Sequence, residues 1–247
     1  MASVPRIFSQ SRRAARARRH AALAACAAPE DQFLRAHLAD EVLDRLDFMR
    51  LDPCPTLLLG DAAGVLAEQL ERRGHPVTKL EVDEERPLPP PQWPLIVSLL
   101  ALDTVNDLPG ALIHLRRALT PGGLLIACIT GAGTLATLRA VLQQADGDRP
   151  AARVHPQIDN QIASGLLARA GFQRQVVDSH SLPVSYRSLD RLLTDLRTQG
   201  LTGVLADAPP PLTRGALDRA RAAFANRADS QGRVTETFEL LTLTAWA

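Results

Sequence analysis

Thr56-Leu57-Leu58-Leu59-Gly60-Asp61-Ala62-Ala63-Gly64-Val65 is the stretch on which the fold turns. The run Thr56 to Leu59 is apolar on both faces, as expected of a buried parallel strand. Gly60 ends it, and Asp61-Ala62-Ala63-Gly64 makes a tight turn into a helix that runs from Val65 to Arg73 and stops at Gly74. A strand that passes through small residues into a helix lets main chain approach a ligand at the helix N-terminus. Alone the pattern is common, and it is not GxGxxG.

The flanking sequence repeats the alternation. Upstream, Phe33, Leu34, Leu38, Val42, Leu43, Leu46 and Met49 recur at three- and four-residue spacing and predict a helix over 30–50, stopped by Pro53 and Pro55. Downstream, strands are expected at 77–82, 95–100, 124–130 and 172–178. The helices between and after them are expected at 107–119, around Leu135, Leu138 and Leu142, and at 158–170, 188–199 and 212–227. Prolines at 87, 89, 90, 91 and 94 make a rigid connector that is neither helix nor inner strand. The last stretch, 237–246, alternates like a strand with one solvated side. This order predicts an α/β fold with a doubly wound, mostly parallel sheet. Such sheets bind ligands at the carboxyl ends of their strands, near the switch in strand order.

Composition sets the outer bounds. The chain has 247 residues, 46% hydrophobic and only 4% aromatic, which describes an aliphatic core and excludes a disordered chain. No apolar run reaches the roughly 20 residues that cross a bilayer. Three widely spaced cysteines, Cys26, Cys54 and Cys128, form neither CxxC nor a Cys/His set, so no metal is expected and a reduced, cytoplasmic setting is.

The net charge of +1 hides an asymmetry: Arg6, Arg12, Arg13, Arg16, Arg18 and Arg19 precede the first acid, Glu30. Residues 1–29 read as a basic arm for an acidic partner, as a transit peptide, or as a solvated alanine-rich helix. Residues 30–247 read as one domain with a helical insertion over 187–227. Nothing points to specific nucleic-acid binding.

The order of motifs resembles the class I S-adenosylmethionine-dependent methyltransferases. Leu119-Thr120-Pro121-Gly122-Gly123 resembles the LxPGG turn before that superfamily's fifth strand. A narrower resemblance rests on Ile7-Phe8, Val105-Asn106-Asp107-Leu108-Pro109-Gly110-Ala111-Leu112, Gly133-Thr134-Leu135, Leu166 to Phe172, Leu193 to Gly200 and Thr237-Phe238-Glu239. It points to the branch of the BioC-type malonyl-carrier-protein O-methyltransferases and the mitochondrial complex I assembly methyltransferase-like proteins. The resemblance implies a Rossmann-like sheet with an antiparallel C-terminal strand and S-adenosylmethionine as cofactor. It also implies a carrier-bound or protein acceptor, with the Arg-rich N-terminus facing an acyl carrier protein or other protein partner. Gly60, Asp61 and Gly64 would pass under the methionine and ribose, Glu81 or Asp83 would take the ribose hydroxyls, and Asp83 and Glu84 would face the adenine. Asp103, His180 and Tyr186 are expected at the substrate pocket; no catalytic residue is assigned.

Departures from the family pattern support a second reading, a degenerate methyltransferase-shaped binding protein acting in complex I assembly. Leu58 stands where the first motif has an acid, and it accepts no hydrogen bond. Ala62 replaces a glycine, a strained substitution if φ is positive there. Gly64 and Glu84 are so close in sequence that one strand-helix unit is expected to be shortened or missing. Asp103-Thr104 replaces a common His-Trp.

Overall fold

The computed structural model describes residues 6–26 and 29–247. Helices α1 (Gln10–Ala24) and α2 (Phe33–Met49) precede β1 (Thr56–Leu59), α3 (Val65–Arg72), β2 (Val77–Lys79) and β3 (Trp93–Leu99). Then come α4 (Leu108–Ala118), β4 (Leu119–Thr130), α5 (Ala136–Asp146), α6 (Asn160–Arg169), β5 (Gln173–Tyr186), α7 (Leu189–Thr198), α8 (Arg214–Ala225) and β6 (Val234–Trp246). The strands form one sheet in the order β2-β1-β3-β4-β6-β5. β2, β1, β3 and β4 pair in parallel, and β6 runs antiparallel to both β4 and β5.

Side chains of the inner strands alternate between two apolar layers. Leu58, Val97, Leu99, Ile126 and Cys128 face the core formed with α2, α3, α5, α7 and α8. Leu57, Leu59, Ile96, Leu125, Ala127 and Ile129 face the core formed with α4 and α6. Burial on both sides explains why these strands read as unbroken apolar runs. Helix starts are set by local capping: Asp107, Asp159 and Ser188 accept from Gly110, Ile162 and Arg191 main-chain N–H groups. Buried Glu236, reaching across from β6, accepts from the N–H groups of Thr137 and Leu138 at the start of α5.

Two expectations change and one holds. β2 ends at Lys79 instead of residue 82, where its pairing with β1 stops. Residues 80–92 then lead to β3 with neither helix nor strand between, the missing unit that the sequence spacing implies. β5 continues past 178 to Tyr186, since Ser179 to Tyr186 pair rung by rung with Leu241 to Val234. Pro183 is tolerated there because β5 is the other sheet edge.

The N-terminal segment is packed onto the domain. Ser9 donates to the Val204 carbonyl at 2.9 Å, Ala206 donates to Ile7, and Phe8 bridges to Leu205. The segment is thereby tied to the connection between α7 and α8, within the expected helical insertion. Residues 1–5 and 27–28 of the expected arm lie outside the described residues. Among the described residues, no helix is long and apolar enough to cross a membrane.

Candidate functional site

A cavity of about 600 Å³ opens at the carboxyl ends of β1, β2 and β3, where the strand order switches. Its floor is the bend after β1. Gly60 has φ +81°, and a Cβ there would stand 2.1 Å from the Leu99 carbonyl oxygen, so only glycine fits between β1 and the end of β3. The Asp61 side chain turns inward and accepts from the N–H groups of Val65, Leu66 and Ala67 at 2.9–3.1 Å, which fastens the bend to the start of α3. Gly64 has φ +73° in open space, with Lys79 Nζ as the nearest atom that a Cβ would meet, at 4.0 Å. Ala62 lines the cavity but is not among the positive-φ residues, so its methyl group is carried without backbone strain. Leu100, on the opposite wall, is left-handed at φ +55°, a costly conformation for a leucine.

The roof is α1. Ser9 caps it, and its inward face presents Arg13, Arg16, Ala17 and His20 to the cavity. Arg13 pairs with Glu84 at 2.8 Å and donates to the Ala101 carbonyl. Arg13 and Arg16 both donate to Thr104 Oγ1. Burial lowers the Arg16 pKa, with Asp103 opposing the shift. His20 is pushed down to about 4 by burial and then by the charge of Arg35. From α2, the buried Arg35 donates to the carbonyls of Gly60 at 2.6 Å and Gln199 at 3.3 Å. Its Nε has no partner, and burial brings its pKa to about 10 despite the attraction of Asp61.

The structure gathers Gly60, Asp61, Glu81, Asp83 and Glu84 around this one cavity; Gly64 is not among its lining residues, though Lys79, the residue nearest to a Cβ there, is. The acids differ in availability. Glu81 is exposed at the rim, Asp83 accepts from Gln10 at 3.1 Å, and Glu84 is buried in its ion pair with Arg13. Asp61 is committed to capping α3.

This lining fits S-adenosylmethionine. The space is not plugged by side chains, and carboxylates stand along the side formed by residues 81–84. An unpartnered buried guanidinium atom on the opposite element offers an anion site for an amino-acid carboxylate.

None of the three expected substrate-pocket residues lines this cavity. Asp103 Oδ1 accepts from Thr130 N and Oγ1, which ties the end of β3 to β4, while Oδ2 is buried without a partner. His180 lies within β5 beside His37 and Glu41 of α2. Tyr186 is buried at the end of β5 with its hydroxyl unpartnered, and burial raises its pKa. The long β5 explains both placements: the residues between 178 and 187, outside the expected strand at 172–178, are strand. His155 stacks edge-on against Phe8, and burial lowers its pKa.

The sequence reading missed Arg13, Arg16, His20, Arg35 and Lys79 as lining residues. The spacing of 13, 16 and 20 on an alanine-rich helix carries the signal for one shared face. Nothing in the sequence distinguishes Arg35 from a surface arginine.

No protein-family model matches the chain. Over 188 residues it is 32% identical to malonyl-[acyl-carrier protein] O-methyltransferase 1 of Coxiella burnetii, covering 69% of this chain and 65% of that protein. It is 28% identical over 215 residues to the mitochondrial arginine-hydroxylase NDUFAF5 of Danio rerio, covering 85% of this chain and 64% of that protein. A malonyl-[acyl-carrier protein] O-methyltransferase of Halorhodospira halophila is 29% identical over 245 residues, covering 86% of this chain and 81% of the relative. The chain thus spans just under two thirds of the length of the first two relatives.

Proposed function

Because the chain belongs to the class I S-adenosylmethionine-dependent methyltransferase superfamily, we propose that it transfers the methyl group of S-adenosylmethionine to a carrier-bound or protein-bound acceptor. The observation that carries this reading is the open cavity at the β1–β3 switch point, with its glycine floor and acidic wall. When bound, the cofactor supplies an electrophilic methyl on a sulfonium.

The chain's own residues do the rest by positioning and by excluding water. Gly60 and Gly64 let main chain pass under the ligand, and Asp61 holds that bend through its bonds to α3. Glu81, exposed at the rim, is the acceptor free to take ribose hydroxyls. Asp83 and Glu84 face the adenine side, steadied by Gln10 and Arg13. Arg35, with Arg16 on the same lining, takes the methionine carboxylate. The roof of α1 shields the site from water.

The malonyl-carrier relatives favour a carboxylate on an acyl carrier protein as acceptor. Arg6, Arg12, Arg18 and Arg19 are exposed, on α1 and just before it, and offer an acidic partner a basic surface. The cysteines are free, which suits a cytoplasmic setting. The second reading, an assembly protein without transfer, draws on the ion pair that already occupies Glu84. Incubation with methyl-labelled S-adenosylmethionine and malonyl-loaded acyl carrier protein tests the proposal. Label on the carrier or on another protein supports it. Label on neither, with cofactor bound, leaves only the binding role.

A further inference from the structure

Away from the cavity, α2 and β5 bring together three side chains that the proposed transfer does not use. His37 and Glu41 are one helical turn apart on α2, and His180 comes from β5. The Nε2 atoms of His37 and His180 face each other at 2.8 Å. Glu41 Oε2 lies 3.5 Å from His180 Nδ1, and one ligand atom from each residue falls within 4.8 Å of the other two. All three side chains are half-buried.

Hydrogen bonding alone leaves this cluster incomplete. One imidazole can donate to the other across 2.8 Å, but Glu41 Oε2, buried 3.5 Å from His180 Nδ1, makes no hydrogen bond. Its twin, Oε1, is held by Arg45 at 2.9 Å, and Arg45 is anchored in turn to Asp178 at 2.7 Å. The carboxylate is therefore oriented from behind, the support that metal-binding carboxylates receive. Two nitrogens bound tetrahedrally at about 2.0–2.1 Å stand about 3.3–3.4 Å apart, and cis nitrogens of an octahedral ion about 2.9 Å. From 2.8 Å, a small side-chain shift reaches either arrangement. A set of two histidines and one carboxylate with open positions suits a first-row divalent ion better than Mg²⁺ or Ca²⁺, which prefer oxygen.

We propose that His37, Glu41 and His180 bind one divalent transition-metal ion, which pins α2 to β5. The sequence gives little warning, because His37-x-x-x-Glu41 is an ordinary helical pair until β5 places His180 beside it. The inference does not depend on cofactor binding at the cavity.

The test uses the full chain, freed of metal by chelator and titrated separately with Zn²⁺, Co²⁺ and Mg²⁺. One equivalent of Zn²⁺ should bind, Co²⁺ should give a visible d–d band, and Mg²⁺ should not compete. His37→Ala and His180→Ala should each weaken Zn²⁺ at least tenfold, whereas Cys54→Ser, near His75, should not. Should the alanine variants misfold, histidine ring-proton shifts in the wild type serve instead: the His37 and His180 resonances should move on adding Zn²⁺. Absence of binding, unmoved resonances, or affinity kept in both histidine variants would overturn the proposal.

Discussion

Arg13 of α1 and Glu84 of the segment after β2 meet at 2.8 Å over the cavity, and both side chains are largely buried. This pair fastens the N-terminal helix over the strand ends. Arg13→Ala leaves the Glu84 carboxylate buried without its cation, which costs about 3 kcal/mol. Chemical denaturation should show that loss, and hydrogen exchange should show α1 opening first. In Arg13→Ala/Glu84→Gln the cost should fall below the sum of the single changes.

Gly60 and Gly64 should respond differently to alanine. Both have positive φ, but at Gly60 the new Cβ meets the Leu99 carbonyl at 2.1 Å, whereas at Gly64 space is open. Gly60→Ala should cost about 3 kcal/mol or more, and Gly64→Ala about 1 kcal/mol. Urea midpoints check the order; equal losses would show that the floor is looser than its geometry.

Acid should weaken the roof. His20 titrates near 6.5 unfolded and near 4 folded, because burial and then Arg35 disfavour its charged form. Stability is therefore full above about pH 6.5 and declines as pH falls toward 4, by about 2 kcal/mol from this residue. His155, shifted down by burial, adds to the same slope. In thermal melts between pH 7 and 5, His20→Gln should flatten the decline without abolishing it.

The outward arginines should matter for a partner and not for folding. Arg12, Arg18 and Arg19 are exposed. Their replacement by glutamate should leave the melting temperature within about 2 °C, while binding to an acidic carrier protein falls and loses its salt dependence. Unchanged carrier binding would remove α1 from the recognition surface.

The layered sheet was legible because its inner strands are buried on both faces: Leu57 to Leu59 and Leu95 to Leu100 read as strands without tertiary information. The absent unit between β2 and β3 was legible as spacing. The extension of β5 was not, since His180-Ser181-Leu182-Pro183 alternates weakly and its pairing depends on distant β6. For the site, the glycine floor and acidic wall were visible as motifs. The cationic roof was not, because its arginines come from α1 and α2, and only the fold turns them inward.

Calorimetric titration of the full chain with S-adenosylmethionine and S-adenosylhomocysteine, repeated on Arg35→Met, bears most directly on the cavity. Both ligands should bind at one equivalent, and Arg35→Met, which keeps much of the side-chain volume, should weaken both about tenfold or more. No heat and no thermal shift with either ligand at millimolar concentration would contradict a cofactor site at the β1–β3 switch point.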